Sequence, residues 1–388
     1  MKISILTPDF SHNCFGRAWL LAKLLQPNFD IEIIGPAFGN GIWKPLKDEC
    51  DFQIKIVKGF PNGRFEIKKM LKIISGDVIY ASKPRSASFG VGLIKKIVTR
   101  KPLLLDIDDW ELGFGREFFD SLVWYKKIND ILLSLKNFSS PYYSYLLSRL
   151  TFLADRITVS GSVLNRRYGG TIIWHVRDSN YFMPEKYNKT DLKRKYLSNI
   201  ERDSFIIGFI GTPRAHKGIE DLIDAITILN RDDVLLMVVG NDEDDYSRSL
   251  VERVKQKKIA DKVVFMGLQP FQRLPELLSL MDVIVVPQRK RKASEGQVPA
   301  KIFDAMVMAK PIIATNVSEI PEILDECGLI VSSENPEQIR KAIEHVMENY
   351  PKAKVMGEKA RDRYIKEFSW QKAEYRLIKI LDSLNINE

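Results

Sequence analysis

Short apolar runs closed by glycine or proline alternate along this chain with longer stretches of helical period. Residues 2–7 read as a strand, 17–26 as an apolar-periodic helix and 31–34 as a second strand. Strand, glycine-bearing loop, helix and strand together open a doubly wound α/β sheet. Residues 52–57 alternate like a strand. The pattern over 64–74 predicts a helix with Ile67, Met70, Leu71 and Ile74 inward and Arg64, Lys68, Lys69 and Lys72 toward water. Further buried strands are predicted at 78–81, 103–107, 156–160 and 172–174. Residues 112–154 are less regular and rich in large side chains: Phe114, Phe118, Phe119, Trp124, Tyr125, Phe138, Tyr142, Tyr143, Tyr145 and Phe152. These either fill a core or line an acceptor cleft or bilayer interface.

From 183 to 199 the composition turns polar, which places a domain boundary after residue 185. A second series of strands and helices follows. Residues 205–210 form a buried strand ending in Gly211-Thr-Pro-Arg-Ala-His-Lys-Gly218, with a helix over 219–229. Strand-plus-glycine units recur at 234–240 and 263–267. The run Val283-Ile-Val-Val286 stops at Pro287, and a polar loop carries Glu295 and Gly296. Pro299 suits the first turn of a helix, where its missing N–H would be unpaired anyway. That helix runs to about 309, the next strand covers 312–315, and helices occupy the chain from 336. The fold class is α/β, with two doubly wound Rossmann-like domains at 1–185 and 186–368.

With 388 residues, 45% of them apolar, the chain can fill two cores. It has no apolar run long enough to span a bilayer, and its first nine residues look like a strand, not a signal peptide. Cys14, Cys50 and Cys327 are odd in number and far apart, which argues against a disulfide framework or a zinc site and suits a reducing cytoplasm. The net charge of +9 is uneven. Residues 51–100 hold eleven Lys/Arg against three Asp/Glu, whereas the part after 185 holds 33 against 32. An anionic membrane surface, an acidic acceptor or nucleic acid would suit the basic part; so would a solvated face that merely aids solubility.

Two strand-loop-helix units carry the chemistry. In each, free N–H groups and the helix dipole face the loop and make an anion site. The first loop holds Gly211, Arg214 and Lys217; the second holds Glu295, Gly296, Gln297 and Val298, with Asp304 on the following helix. Gly240 and Gly267 would border a nucleobase. A diphosphate gripped by N–H groups, with carboxylates for hydroxyls, is the chemistry of a nucleotide sugar, although an ordinary α/β loop uses the same residue types. There is no Walker A sequence, and no Gly-x-Gly-x-x-Gly, so a dinucleotide cofactor is not expected. The run Arg289-Lys-Arg-Lys292 either adds positive potential or is simply solvated.

The stretch from Lys292 to Thr315 resembles the donor motif of the retaining glycosyltransferases of family four, which have the GT-B fold. The likeness is carried by Glu295-Gly296, Asp304-Ala305-Met306 and Lys310-Pro-Ile-Ile-Ala314. Asp304 stands where the family has Glu, and the spacing between the two acids is one residue longer. The resemblance implies two domains facing each other across a cleft, with residues 369–388, after Phe368-Ser-Trp370, as a helix crossing back to the first domain. It implies that Arg214, Lys217 and the N–H groups of Gly296, Gln297 and Val298 meet the donor diphosphate. Asp304 would then reach the ribose and Glu295 the transferred sugar. Gly16 is what remains of the family's glycine-rich first loop. Asp108 and Asp109, in Asp106-Ile-Asp-Asp-Trp-Glu111, would face the sugar or acceptor where relatives carry a histidine. Asp-x-Asp can hold Mg²⁺, but the resemblance is to a metal-independent fold, so neither metal nor other cofactor is expected.

The implied activity moves a sugar from a nucleotide-diphosphate sugar, with retention, to a sugar or lipid-linked acceptor in glycan biosynthesis. The implied setting is the cytoplasm or the inner face of a membrane, with no nucleic acid. A nucleotide-sugar 2-epimerase-like isomerase would need acid and base groups that the sequence does not place. A non-catalytic binder of an acidic polymer would explain the charge but not the order of Arg214, Lys217, Glu295 and Asp304.

Overall fold

The computed structural model describes residues 1–111, 113, 137–198, 203–242 and 244–384. They form two compact units: Met1–His175 with Glu295–Val298 and the chain from Gln371 onward, and Val176–Ser294 with Pro299–Trp370. In the first unit the chain runs β1 (Lys2–Leu6), α1 (Phe15–Leu25), β2 (Asp30–Ala37), β3 (Gln53–Phe60), β4 (Arg64–Phe65), α2 (Ile67–Ile73), β5 (Val78–Ser82), α3 (Val91–Thr99) and β6 (Leu103–Ile107). It continues with α4 (Pro141–Arg149), β7 (Arg156–Val159), α5 (Ser162–Tyr168) and β8 (Thr171–Ile172). The second unit contains α6 (Lys189–Tyr196), β9 (Phe205–Ile210), α7 (Ile219–Leu229), β10 (Val234–Val239), α8 (Asp245–Gln256), β11 (Val263–Phe265), α9 (Leu274–Leu280) and β12 (Val283–Val286). After these come α10 (Ala300–Val307), β13 (Ile312–Thr315), α11 (Ile320–Leu324), β14 (Leu329–Val331), α12 (Pro336–Glu348) and α13 (Tyr350–Arg363). The last helix, α14 (Trp370–Asp382), packs with the first unit, where Arg376 donates to the Ile172 carbonyl.

The first sheet has the order β4-β3-β2-β1-β5-β6-β7-β8 and the second β11-β10-β9-β12-β13-β14. All pairs are parallel except β3 with β4. Parallel strands covered on both faces must be apolar throughout; β10, Val-Leu-Leu-Met-Val-Val, is buried at every residue. Each sheet reverses its winding once, between β1 and β5 and between β9 and β12. The crevice beyond the strand carboxyl ends at such a reversal is where open α/β sheets hold ligands.

Two elements differ from the sequence reading. Arg64 does not begin a helix: Pro61-Asn-Gly63 turns the chain, with Asn62 and Gly63 at φ of 62° and 66°. Arg64 and Phe65 then pair antiparallel with Phe60 and Gly59. The helix starts at Ile67, and it keeps Met70 buried and Lys68, Lys69 and Lys72 exposed as the periodicity requires. The strand expected at 172–174 is Thr171–Ile172. Beyond it, the segment from Val176 packs within the second unit because Tyr181 and Phe182 lie against Phe271, and Arg361 donates to the Phe182 carbonyl. Of the aromatic stretch, Phe114, Phe118, Phe119, Trp124 and Tyr125 lie outside the described residues; Tyr145 and Phe152 are exposed.

Candidate functional site

In the first unit, charged side chains gather at the carboxyl ends of β5 and β6. Asp106 ends up fully buried, and Arg17 from α1 grips it with two hydrogen bonds, Nε to Oδ2 at 2.9 Å and Nη2 to Oδ1 at 2.8 Å. Thr158 on β7 donates to the same carboxylate. Just past β5, Lys83 adopts a left-handed φ of 69°, held by hydrogen bonds from its own N–H to the Asp106 carbonyl and from Ser88 Oγ to its carbonyl. Its buried ammonium lies 2.7 Å from Asp108 and 2.5 Å from Asp109. Burial works against that charge, but Asp108, Asp109 and Glu111 outweigh it and raise the Lys83 pKa. Burial pushes Asp108 up to about 6 against the pull of Lys83, with Asp109 and Asp106 adding to the rise. For Asp109, Lys83 and the Gln297 amide overcome burial and hold it below the usual carboxylate range.

The residues Glu295–Val298 complete this cluster. Gln297 Nε2 donates to Asp109 Oδ1 at 2.9 Å, and Glu295 meets Arg167 at 3.5 Å. The Arg167 guanidinium stacks 3.6 Å above the Trp110 ring. A Cβ at Gly296 would come within 2.7 Å of Trp110 Cβ, so only glycine lets the loop pass there. Four predicted residues, Glu295, Gln297, Asp108 and Asp109, thus share one neighbourhood. Val298 is buried, and Gly16 sits in the first turn of α1 with room for a Cβ.

The second unit builds a different edge. Gly211, Gly240 and Gly267 close β9, β10 and β11 with φ of 105°, 101° and 67°. They bond in series: Gly211 N–H to the Val239 carbonyl, Gly240 N–H to the Gly267 carbonyl, Gly267 N–H to the Asn241 side chain. Gly218 caps α7, and a Cβ there would strike the Pro287 carbonyl. Lys217, one residue earlier, donates to the Thr212 carbonyl at 2.8 Å. Arg214 is ion-paired with Asp244, the N-cap of α8, at 2.6 Å. Asp304 is buried on α10 and faces Arg177 at 2.6 Å, a partner that the sequence reading did not name. Burial raises the Asp304 pKa while Arg177 opposes the rise. The run at 289–292 is paired in part: Arg289 forks onto Asp221 and Arg291 onto Glu334. Lys310 is tied to the Ser279 and Met281 carbonyls at the end of α9, a structural anchor, and burial pushes it down to about 8.

Lys83, Arg177 and buried Lys301, with Arg17 and Arg167, are charged residues that sequence reasoning missed. Lys83 and Arg177 show themselves only through partners 25 or more positions away. For Lys301 a signal exists: apart from Lys301 and Asp304 its helix, Ala-Lys-Ile-Phe-Asp-Ala-Met-Val, is apolar.

Known proteins match both the fold and the second unit. Residues 204–349 match the glycosyl transferases group 1 family. Among curated proteins similar to this chain, an uncharacterized glycosyltransferase of Methanocaldococcus jannaschii is 25% identical over 201 residues, 50% of this chain and 47% of that protein. The GDP-mannose-dependent alpha-(1-6)-phosphatidylinositol monomannoside mannosyltransferase of Mycobacterium tuberculosis is 26% identical over 211 residues, 53% of each. The chain spans about half the length of the curated relatives it matches. Over the whole chain, the crystal structure of Anabaena HepE with UDP-glucose superposes with a TM-score of 0.77 at 19% identity, covering 99% of this chain and 100% of that one. The fold is GT-B. The segment that matches the family holds Gly211, Arg214, Lys217, Glu295 and Asp304.

Proposed function

We propose that this chain is a retaining glycosyltransferase of family four that moves a sugar from a nucleotide-diphosphate sugar to an acceptor. One observation carries the reading: within the family-matching segment, Gly211 and Lys217 follow β9, one of the two strands at the winding reversal of the second sheet. Lys217 and Arg214 would neutralise the leaving diphosphate, whose charge grows in the transition state, and the N–H groups of Gly296, Gln297 and Val298 would add to this. Asp304 would position the ribose. The bond from the anomeric carbon to the phosphate oxygen breaks as the acceptor oxygen attacks from the same face. The departing phosphate takes the acceptor proton, so no enzymic nucleophile is needed. Glu295 would hold sugar hydroxyls, with Asp108 and Asp109 turned to the sugar or acceptor. We propose that no metal takes part, since Lys83 already occupies the oxygens of Asp108 and Asp109 that a cation would use.

Incubation of the full chain with radiolabelled UDP-, GDP-, ADP- and dTDP-sugars tests the proposal. Transfer to a glycan or lipid acceptor supports it. An epimerised nucleotide sugar would instead make the chain an isomerase, and retention of the label without turnover would make it a binder.

We further propose a lipid-linked or glycan-precursor acceptor reached at an anionic membrane, with the chain peripheral on the inner face. The first unit supports this with exposed Lys68, Lys69 and Lys72 on α2 and with apolar side chains left in water, Ile97 at 79%, Val98 at 74% and Phe152 at 73% exposure. No helix among the described residues is long and apolar enough to cross a membrane. Basic residues near an anionic surface contribute about 1 kcal/mol each. Flotation with anionic vesicles should carry the protein at low salt and lose it when the three lysines become glutamate. Protein that stays below the vesicles at low salt would leave a soluble acceptor as the remaining reading.

A further inference from the structure

Lys301 lies in the first turn of α10 at 7% exposure, with its Nζ 3.7 Å from the centroid of the Phe209 ring. It has no hydrogen-bond or ion-pair partner among the described residues. Its side chain ends at the start of the loop after β9: Cε lies 3.7 Å from where a Cβ on Gly211 would be. Lys310, on the same segment, has two carbonyls to hold it; Lys301 has only a ring face. A buried amine without a hydrogen-bonding partner is costly, and an apolar side chain of equal length would serve packing better.

The surroundings make the point sharper. Burial, and after it the charge of Lys217, push the Lys301 amine well below the ordinary lysine range. The amino end of α10 is itself positive and disfavours a cation. Asp304, one turn on, favours the charge, but its carboxylate is paired with Arg177, whose backbone is in turn held by the Tyr364 hydroxyl. An unpartnered, buried amine that shares a helix amino end with free N–H groups marks a place for an anion.

We propose that Lys301 is a third cationic ligand of the donor diphosphate, reaching it from α10 while Lys217 and Arg214 reach it from the loop after β9. This rests on the donor reading given above. The arrangement makes binding proton-linked. A bound diphosphate raises again a pKa that burial and Lys217 have lowered. Complex formation therefore takes up a proton, and affinity falls by up to about tenfold per pH unit as pH rises through the range where the free amine is neutral.

Calorimetric titration of the full chain with UDP, GDP, ADP and dTDP, each beside its own nucleoside, tests this. If no diphosphate binds the wild type, the donor reading falls, and Lys301 falls with it. If one binds, Lys301→Met should weaken it by about 10- to 100-fold, the effect of one charge-assisted hydrogen bond, and leave the nucleoside unchanged. Heats in buffers of different ionisation enthalpy should show proton uptake in the wild type and none in Lys301→Met. The unliganded variant should melt no lower than the wild type. Lys301→Arg, always charged, should bind the diphosphate better than Lys301→Met but without proton uptake. Equal diphosphate affinity in Lys301→Met and wild type would overturn the assignment while leaving the donor reading intact. So would equal losses for diphosphate and nucleoside, or a Lys301→Met chain that melts well below the wild type, either of which marks the amine as structural.

Discussion

The carboxyl edges of the two sheets handle charge in opposite ways. At the first, each named acid has a cation: Arg17 on Asp106, Lys83 on Asp108 and Asp109, Arg85 on Glu111. At the second, Lys217 donates to the Thr212 carbonyl, a neutral group, and Lys301 lies against an aromatic face. Paired charge at the first edge fixes side chains in place. A cation set against a neutral ring, as Lys301 is at the second, is what a dianionic leaving group would complete. Substitutions at Arg17 and Asp106 should therefore fall on the fold, and those at Lys217 and Lys301 on the ligand.

The largest effect is expected where the pairing is most complete. Asp106→Leu leaves the Arg17 guanidinium buried without its carboxylate, and losing one partner of such a pair costs about 3–5 kcal/mol. Chemical denaturation should show it, and a joint Arg17→Met, Asp106→Leu change should restore much of the loss. An unchanged midpoint for the single variant would end the claim that this edge is held by its pairs. Lys217→Ala comes next: nucleoside diphosphate binding should weaken by roughly 1.5–3 kcal/mol and turnover should be abolished, with the melting temperature unmoved. Undiminished binding would remove the loop after β9 from the donor site.

Glu295 and Asp304 sharpen the contrast, being the two acids of one motif in different units. Glu295→Gln should depress turnover by about tenfold or more with donor affinity nearly kept, whereas Asp304→Asn should raise the donor dissociation constant. Steady-state kinetics that moved both parameters equally in both variants would show that the one-residue offset has taken Glu295 away from the sugar.

The smallest effect is one of slope. Asp108 has a folded pKa raised from 3.8 to about 6. Its proton is held more tightly folded than unfolded, so its contribution is full below the unfolded value and fades as pH rises from about 4 to about 6. Melting temperature against pH should lose part of that decline in Asp108→Asn. Parallel curves for variant and wild type would mean that Asp108 titrates normally.

The second sheet and its loops were legible because β9, β10 and β12 are apolar throughout and end at Gly211, Gly240 and Pro287. Gly211, Gly240 and Gly267 are visible in the sequence, and each ends its strand with positive φ. The turn at Pro61-Asn-Gly63 is equally visible, but helical periodicity from Ile67 runs back through Arg64 and competes with it. The pairing of charges was not legible. Arg17 with Asp106, or Gln297 with Asp109, joins residues 89 and 188 positions apart, and no local rule links them. Lys301 is legible in part: its helix is nearly all apolar, but only the packing shows that its amine lies against the Phe209 ring.

The row of glycines at the second edge also limits how the protein can be re-engineered. At position 240 a methyl group would meet the Gly211 backbone at 2.9 Å, so that site admits no alphabet but glycine. At 267 nothing lies within 4 Å of the added carbon, and the only obstacle is a φ of 67°. Asparagine and aspartate adopt that conformation more readily than most residues, at a cost of roughly 1–2 kcal/mol or less. A combinatorial library across this row therefore has one open letter, and it is the third.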